Sequence, residues 1–214
     1  MGGPSEVSLA PYERKEATCF AAPRVSLTVI QFSKTPKSMN ITERLIIRVA
    51  TLADHAAANA IHKAAYPEDP YTYANNIGRL GTINLVAVKD DETVGFVSAL
   101  VNEPNPPGKY LWERMRPYIG FVGVAPGNQG CGIGGVLVSR VSRVALQRTN
   151  RYRIFLECEV ENERAKGLYE KLGFKVMPPD EVERTFARPP HRNSLILYGW
   201  KSLFNGEYPA PNQG

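Results

Sequence analysis

Cysteine is scarce in this 214-residue chain, and the three present, Cys19, Cys131 and Cys158, supply neither a disulfide framework nor a metal-binding spacing. Long apolar runs are missing too. None approaches the ~18 residues of a membrane-crossing helix, so no membrane partner is expected. The first residues, Met1-Gly2-Gly3-Pro4-Ser5-Glu6, lack the apolar core of a signal peptide. Glu6 also stands where an N-myristoylation pattern requires Ser or Thr. A reducing, cytoplasmic setting is the expectation. Histidine is rare, and His55, His62 and His191 occur singly, which reads as solvated or packed. Negative charge is locally absent: between Gly127 and Arg153 there is no carboxylate, but five arginines, Arg140, Arg143, Arg148, Arg151 and Arg153. With a net charge of +5 this suits an anionic, phosphorylated ligand and falls short of a nucleic-acid signature, so no nucleic-acid partner is expected.

What is present describes an ordinary globular chain, 43% hydrophobic and 22% charged, long enough for one domain with a sizeable core. Residues 1–42 read as a poorly defined N-terminal extension punctuated by Pro4, Pro11, Pro23 and Pro36, with a short strand over 25–32. The domain proper spans 43–202, and 203–214 form a polar tail. Within the domain, 44–50 reads as a strand. A helix follows over 51–65, with Leu52, Ile61 and Ala65 available for burial, and Pro67 and Pro70 stop it. Residues 71–79 suggest a second short helix. Strands over 84–89 and 93–101, separated by Asp90-Asp91-Glu92, predict a β-hairpin. A proline-rich loop (102–108) and an ambiguous stretch (109–116) precede a strand over 118–124. A helix over 133–148, a strand over 152–160, a helix over 162–172 and strands over 174–177 and 194–201 complete the order. Asn162 is placed to cap its helix and Gly173 to end it. The pattern predicts a mixed α/β sheet in three layers, with helices on both faces.

The stretch from Val124 to Leu137 organises the chain. A strand enters it, an amphipathic helix leaves it, and between them Gly127, Gly130, Gly132, Gly134 and Gly135 crowd into nine residues. Glycines allow positive φ and leave room for a ligand, and the helix N-terminus offers unpaired N–H groups and partial positive charge. Together they predict a phosphate cradle. A nucleoside-triphosphate P-loop is excluded because Ile133-Gly134 stand where Lys-Ser/Thr are needed. Gly130-Cys131-Gly132-Ile133-Gly134-Gly135 satisfies the dinucleotide fingerprint, and Glu157 could serve a ribose. Against this, Ala125-Pro126-Gly127-Asn128-Gln129 separates the strand from the first glycine, and half the chain precedes the loop.

A third reading rests on resemblance. Gln129-Gly130-Cys131-Gly132-Ile133-Gly134 resembles the Gln/Arg-x-x-Gly-x-Gly/Ala motif of the GNAT superfamily of acyl-CoA-dependent N-acyltransferases, and Val124-Ala125-Pro126 resembles the strand end before it. The segment from Asn162 to Phe174, NERAKGLYEKLGF, is similar to the family's second motif, Asn-x-x-Ala-x-x-Leu-Tyr-x-x-x-Gly-Phe. The resemblance covers roughly 45–200 and is strongest over 118–176.

The resemblance implies a GNAT-like fold, mostly antiparallel in its first half, with parallel strands splayed around the cofactor loop. It implies acetyl-CoA as cosubstrate, no metal, and direct attack by a primary amine without an acyl-enzyme. The pyrophosphate is expected on the N–H groups of Gln129, Gly130, Cys131, Gly132, Ile133 and Gly134, with Gly135 behind them and Asn162 contacting CoA. The pantetheine arm would pair with Val122, Gly123 and Val124, and the Val124 N–H would polarise the thioester carbonyl. Gln129 is expected to face the ligand. Tyr169 matches the position that protonates the departing thiolate. Cys131 and Cys158 read as structural. Many relatives carry a glutamate early on the strand before the loop, but Tyr118-Ile119-Gly120-Phe121-Val122-Gly123-Val124 has none. The general base therefore stays open among Tyr118, Glu103, Glu113, Glu157 and Glu159, and a non-catalytic acyl-CoA binder stays as the alternative. The acceptor is expected over 66–80 and 102–116, where Tyr66, Tyr71, Tyr73, Tyr110 and Trp112 favour a small aromatic or hydrophobic amine. The oligomeric state stays open, a homodimer included.

Overall fold

The computed structural model describes residues 28–32, 43–101, 117–186 and 193–204. Eight strands form one sheet: β1 (Thr28–Phe32), β2 (Glu43–Val49), β3 (Thr82–Lys89), β4 (Glu92–Leu100), β5 (Tyr118–Val124), β6 (Arg153–Glu159), β7 (Lys175–Val176) and β8 (Ser194–Trp200). Their spatial order is β1-β2-β3-β4-β5-β6-β8-β7. The first five run antiparallel to their neighbours, β5 and β6 are parallel, and β6-β8-β7 are antiparallel again. Among the described residues the α-helices are α1 (His55–Ala65), α2 (Ile133–Thr149), α3 (Glu163–Lys171) and α4 (Pro179–Phe186).

Strand alternation assigns the layers. On β3, Leu85 and Ala87 join one core cluster with Leu137, Val138 and Val141 of α2. Val86 and Val88 point the other way, into a second cluster with Ala58 and Ile61 of α1. The central strands are therefore covered on both faces, as three layers require. The β3–β4 hairpin closes through Asp90-Asp91, with φ of 50° and 63°, the pair of left-handed residues that a two-residue turn matched to strand twist needs. Asn162 caps α3 as expected, its Oδ1 accepting from the Ala165 N–H at 3.0 Å.

Several sequence expectations need correction. Residues 71–79 hold only a 3-10 turn, Tyr73–Asn76. Three of the bonds that hold this segment come from strand-side groups: Thr82 and Asn84 both donate to the Asn76 carbonyl, and Asn76 Nδ2 donates to Ser98. The strand over 174–177 shrinks to Lys175–Val176, and α4 was not anticipated. Leu52 is 76% exposed. Ala65 is also exposed, because the end of α1 overhangs a cleft instead of the core. The short strand over 25–32 is seen from Thr28 onward. Glu103, Tyr110, Trp112, Glu113 and His191 lie outside the described residues, as do the 102–116 loop and nearly all of the extension and tail.

The start of α1 is tied to the sheet through Asp54. Its carboxylate, only 5% exposed, accepts two bonds of 2.7 Å from Arg48, two from Thr51 and one from Thr93. The Arg48 guanidinium foremost, with the Thr51 bonds, holds the Asp54 carboxyl far below the ordinary carboxylate range. A depressed folded-state pKa contributes stability that is present above the unfolded value of about 4 and is lost as pH falls through the folded one. Removing one member of a buried pair costs ~3–5 kcal/mol. Arg48 is 33% exposed, which reduces the expected cost of Asp54→Asn to about 2 kcal/mol at pH 7. Urea unfolding at pH 7 and pH 3 checks it. The gap between wild type and variant should shrink at pH 3, and an equal gap at both would refute the linkage.

Candidate active site

The sheet splits where β5 meets β6. The two strands share only the rungs Tyr118↔Phe155 and Ile119↔Leu156. β4, by contrast, follows β5 all the way to Val124. The divergence starts at an extra residue: Ser98 pairs with Phe121 and Ala99 with Ile119, leaving Gly120 as a bulge. A bulge bends its strand and sharpens the local twist. Glycine is needed there for space, because a Cβ on Gly120 would lie 2.3 Å from the Tyr73 ring. Beyond Ile119, the β6-facing edge of β5 thus has no strand partner. The gap opens into a cleft of about 1410 Å³.

One wall of the cleft is the glycine loop. Gly127, Gly130 and Gly132 have φ of 87°, 83° and 79°, and Gly132 forms the N-cap of α2 in the left-handed region. Side chains there would strain the backbone, and at Gly127 and Gly130 the space a Cβ would take is open. Val122–Val124, Gln129, Gly130, Gly132, Ile133, Gly134, Gly135 and Asn162 all line the cleft; Cys131 does not. Its thiol is exposed and lies 3.9 Å from the Gln129 carbonyl. The Gln129 side chain also departs from a purely ligand-facing role. It donates to the Val124 carbonyl at 3.0 Å and accepts from Arg164 at 2.5 Å, bridging the end of β5 to α3. Arg140, Arg143 and Arg148 of α2 do not line the cleft. Arg143 donates to the Phe204 carbonyl, and Arg153, on β6, pairs with Glu181 of α4 at 2.9 Å.

Tyr169 reaches the cleft from α3, 6% exposed and packed against Phe174. Burial, with lesser contributions from Cys158 and Tyr66, pushes its phenol well above the ordinary value. Cys158 lines the same side, its thiol raised by burial and then by Glu159. Both belong to the core cluster beneath α2 and α3.

The opposite face is aromatic. Tyr73 stacks on Phe121 at 6.0 Å and 15°, Tyr71 meets Tyr73 edge-on, and Tyr66 meets Phe121 edge-on at 6.4 Å. His62 is packed among Tyr66, Tyr73 and Phe121, and burial lowers its pKa. Of these rings, Tyr66 and Phe121 border the cleft. Tyr118, one of the candidate bases, is 6% exposed and off the cleft, in a cluster with Phe155, Met177 and Ile196. Burial holds its phenol far above the usual range, which disfavours it as a proton acceptor near neutral pH. Glu157 and Glu159 do line the cleft. Two participants escaped sequence reasoning. Arg164 binds Gln129 across 35 positions, and Ser194 donates to Glu157 Oε1 across 37. Among the described residues, no cluster of His, Cys, Asp or Glu could hold a metal ion, and no helix is long and apolar enough to cross a membrane.

The fold that holds this cleft has counterparts among known proteins. The sequence model of the Acetyltransferase (GNAT) family matches residues 49–174, more than half of the chain. The chain belongs to the GNAT acetyltransferase family. Solved structures share the fold of this GNAT chain. NAA60 of Arabidopsis thaliana, in complex with a bisubstrate analogue, aligns with a TM-score of 0.57 at 17% identity, over 73% of this chain and 98% of that one. Spermidine N-acetyltransferase from Vibrio cholerae, in complex with CoA and spermine, aligns at 0.54 and 19% identity, over 76% and 98%. yncA, a putative acetyltransferase from Salmonella typhimurium with its cofactor acetyl-CoA, aligns at 0.51 and 23% identity, over 79% and 99%. No curated protein matches the chain. The GNAT match begins at the end of β2 and ends just after α3, so it contains both walls of the cleft.

Proposed function

We propose that the chain transfers the acetyl group of acetyl-CoA to the primary amine of a small molecule with an aromatic or otherwise apolar body. The observation that carries this reading is the slot between β5 and β6, which runs from the glycine cradle on one face of the sheet to the aromatic wall on the other. The fit to CoA is chemical. Unpaired N–H groups at the start of α2 suit a pyrophosphate. The partnerless edge of Val122–Val124 suits a pantetheine amide laid down as an added strand, with the Val124 N–H directed at the thioester oxygen. Tyr169, on the cradle's side, serves the departing sulfur. The acceptor enters from the face of Tyr66 and Phe121, whose rings suit an apolar body and also favour a cation. The solved relatives include a spermidine N-acetyltransferase, so polyamines are the natural rival acceptors.

Calorimetry with acetyl-CoA, NAD and ATP tests the donor. Saturable binding of acetyl-CoA alone is expected, and NAD binding without CoA binding would overturn the assignment. Release of free CoA thiol with a panel of 2-phenylethylamine, spermidine, free amino acids and lysine peptides tests the acceptor. The highest kcat/KM is expected with 2-phenylethylamine, and activity on lysine peptides alone would reject the acceptor class. Binding of acetyl-CoA with no thiol released by any amine would make the chain a binding protein.

A further inference from the structure

We propose that Glu157 is the proton acceptor for the attacking amine and that the Ser194 hydroxyl positions it. The proposal rests on the acetyl-transfer reading and completes it on the side that sequence left open. Among the described residues three carboxylates line the cleft: Glu157, Glu159 and Glu163. Glu163 is exposed in the first turn of α3 and engaged by Lys166 at 2.7 Å. Glu159 is exposed at the outer end of β6. Glu157 is half-buried and is the first residue of β6 beyond the last rung shared with β5. It therefore stands beside the vertex of the split, on the cleft that Val122–Val124 also line.

Alternation on β6 gives the side. Cys158 belongs to the cluster that contains Tyr169, so Glu157 and Glu159 project to the opposite, aromatic face. The proton acceptor and Tyr169 thus lie on opposite faces of the sheet, so attack and departure are served from different sides of the slot. Ser194 sits opposite Glu159 on β8, one diagonal step away, and donates to Glu157 Oε1, fixing the carboxylate. Among the described residues, Tyr73 from the 3-10 turn and Tyr118 on β5 face Glu157, while Tyr66 at the end of α1 faces Glu159. Burial raises all three phenols, Tyr73 to about 12, so they stay neutral and leave the carboxylates as proton acceptors.

The protons balance. The incoming ammonium gives one proton to Glu157, directly or through a water, and that proton passes on to solvent. The neutral nitrogen attacks the carbonyl carbon, a C–N bond forms and the oxyanion accepts from the Val124 N–H. The C–S bond then breaks, and the sulfur takes a proton from Tyr169. The second proton of the nitrogen restores the phenol, so one proton is released per acetyl group.

The test is Glu157→Gln with 2-phenylethylamine as acceptor, or spermidine if the panel favours it. The expected result is a kcat lower by about a hundredfold at pH 7.5, with the calorimetric Kd for acetyl-CoA unchanged. The deficit should narrow toward pH 10, as more of the amine arrives neutral. Ser194→Ala should lose less, and Ser194→Thr, which keeps a hydroxyl, should recover most of it. Glu157→Asp retracts the carboxylate by one methylene and should fall between wild type and Gln. If the Gln variant does not fold, unchanged kcat in the Asp variant overturns the proposal. Full kcat in Glu157→Gln, or a deficit constant at every pH, overturns it as well. Wild-type protein that binds acetyl-CoA but acetylates no amine refutes acetyl transfer itself, a failure seen before any variant is made.

Discussion

Replacing Gly132 by valine is expected to raise the Kd and KM for acetyl-CoA by ~10-fold to ~100-fold while leaving most of kcat at saturation. Gly132 caps α2 at φ 79°. A left-handed conformation costs an L-residue ~1–2 kcal/mol, and a β-branched side chain more. Valine relieves that strain by rotating the peptide toward negative φ, which turns the first N–H groups of the helix away from the phosphates. Each 1.4 kcal/mol lost at the cradle is a factor of ten in affinity. Gly132→Ala keeps the strain but lacks the branch, and should fall between. Calorimetry on protein shown to be folded by circular dichroism measures it. Normal acetyl-CoA affinity in a folded Gly132→Val variant would mean that the cradle is not the donor site.

Tyr169→Phe should produce the complementary signature: kcat down ~10-fold to ~100-fold, with acetyl-CoA affinity and melting temperature nearly unchanged. The ring and its contact with Phe174 survive; only the hydroxyl is lost. An interaction used chiefly in the transition state affects kcat and not ground-state affinity. The raised pKa of this phenol limits its role. An ordinary thiol titrates near 8.5, so full transfer from Tyr169 alone runs uphill even to a complete thiolate and goes forward only when coupled to return of the nitrogen's proton to the phenol. Under the proposed function Tyr169 therefore acts first as a hydrogen-bond donor to the developing thiolate and passes its proton only as the nitrogen's proton replaces it. The same shift fixes the pH behaviour. A phenol with a raised pKa stays protonated through neutral and mildly alkaline pH, so Tyr169 should impose no falling limb below pH 9. An unchanged kcat in Tyr169→Phe, with chemistry shown to be rate-limiting by single-turnover kinetics, would reduce Tyr169 to a packing residue.

The parts of this architecture that local chemistry dictates were legible in the sequence. The hairpin follows from two alternating runs around Asp90-Asp91, the α3 cap from Asn162, and the cradle from glycines placed between a strand and an amphipathic helix. The parts set by distant pairing were not legible. Nothing local marks Gly120 as a bulge, because the extra residue exists only relative to Ser98 and Ala99 on β4. Nothing in the spacing of Glu157 and Ser194 brings them together until β6 and β8 pair in register. Helix α4 opens with Pro179, has only eight residues and is mostly polar, so its few apolar side chains, Val182 among them, span too short a stretch to stand out as a helix. Ala65 fits the buried stripe of α1 by spacing, and only the cleft beneath the helix end exposes it.

The bulge at Gly120 also places a strand edge in the middle of a sheet. Edge strands normally sit at the rim, where charge, proline or a covering loop keeps them from templating aggregation. Here the edge of Val122–Val124 lies between β4 and β6, inside the cleft and away from the rim of the sheet. An added strand would mend the interrupted ladder, and under the proposed function the cosubstrate's own amides supply it. Catalysis and solubility are then coupled through one vacancy. A ligand at a hundredfold excess over its Kd adds about 2.7 kcal/mol to the folded state. A cell poor in acetyl-CoA would thus hold a protein that is idle and also less protected, with its abundance tracking the metabolic state.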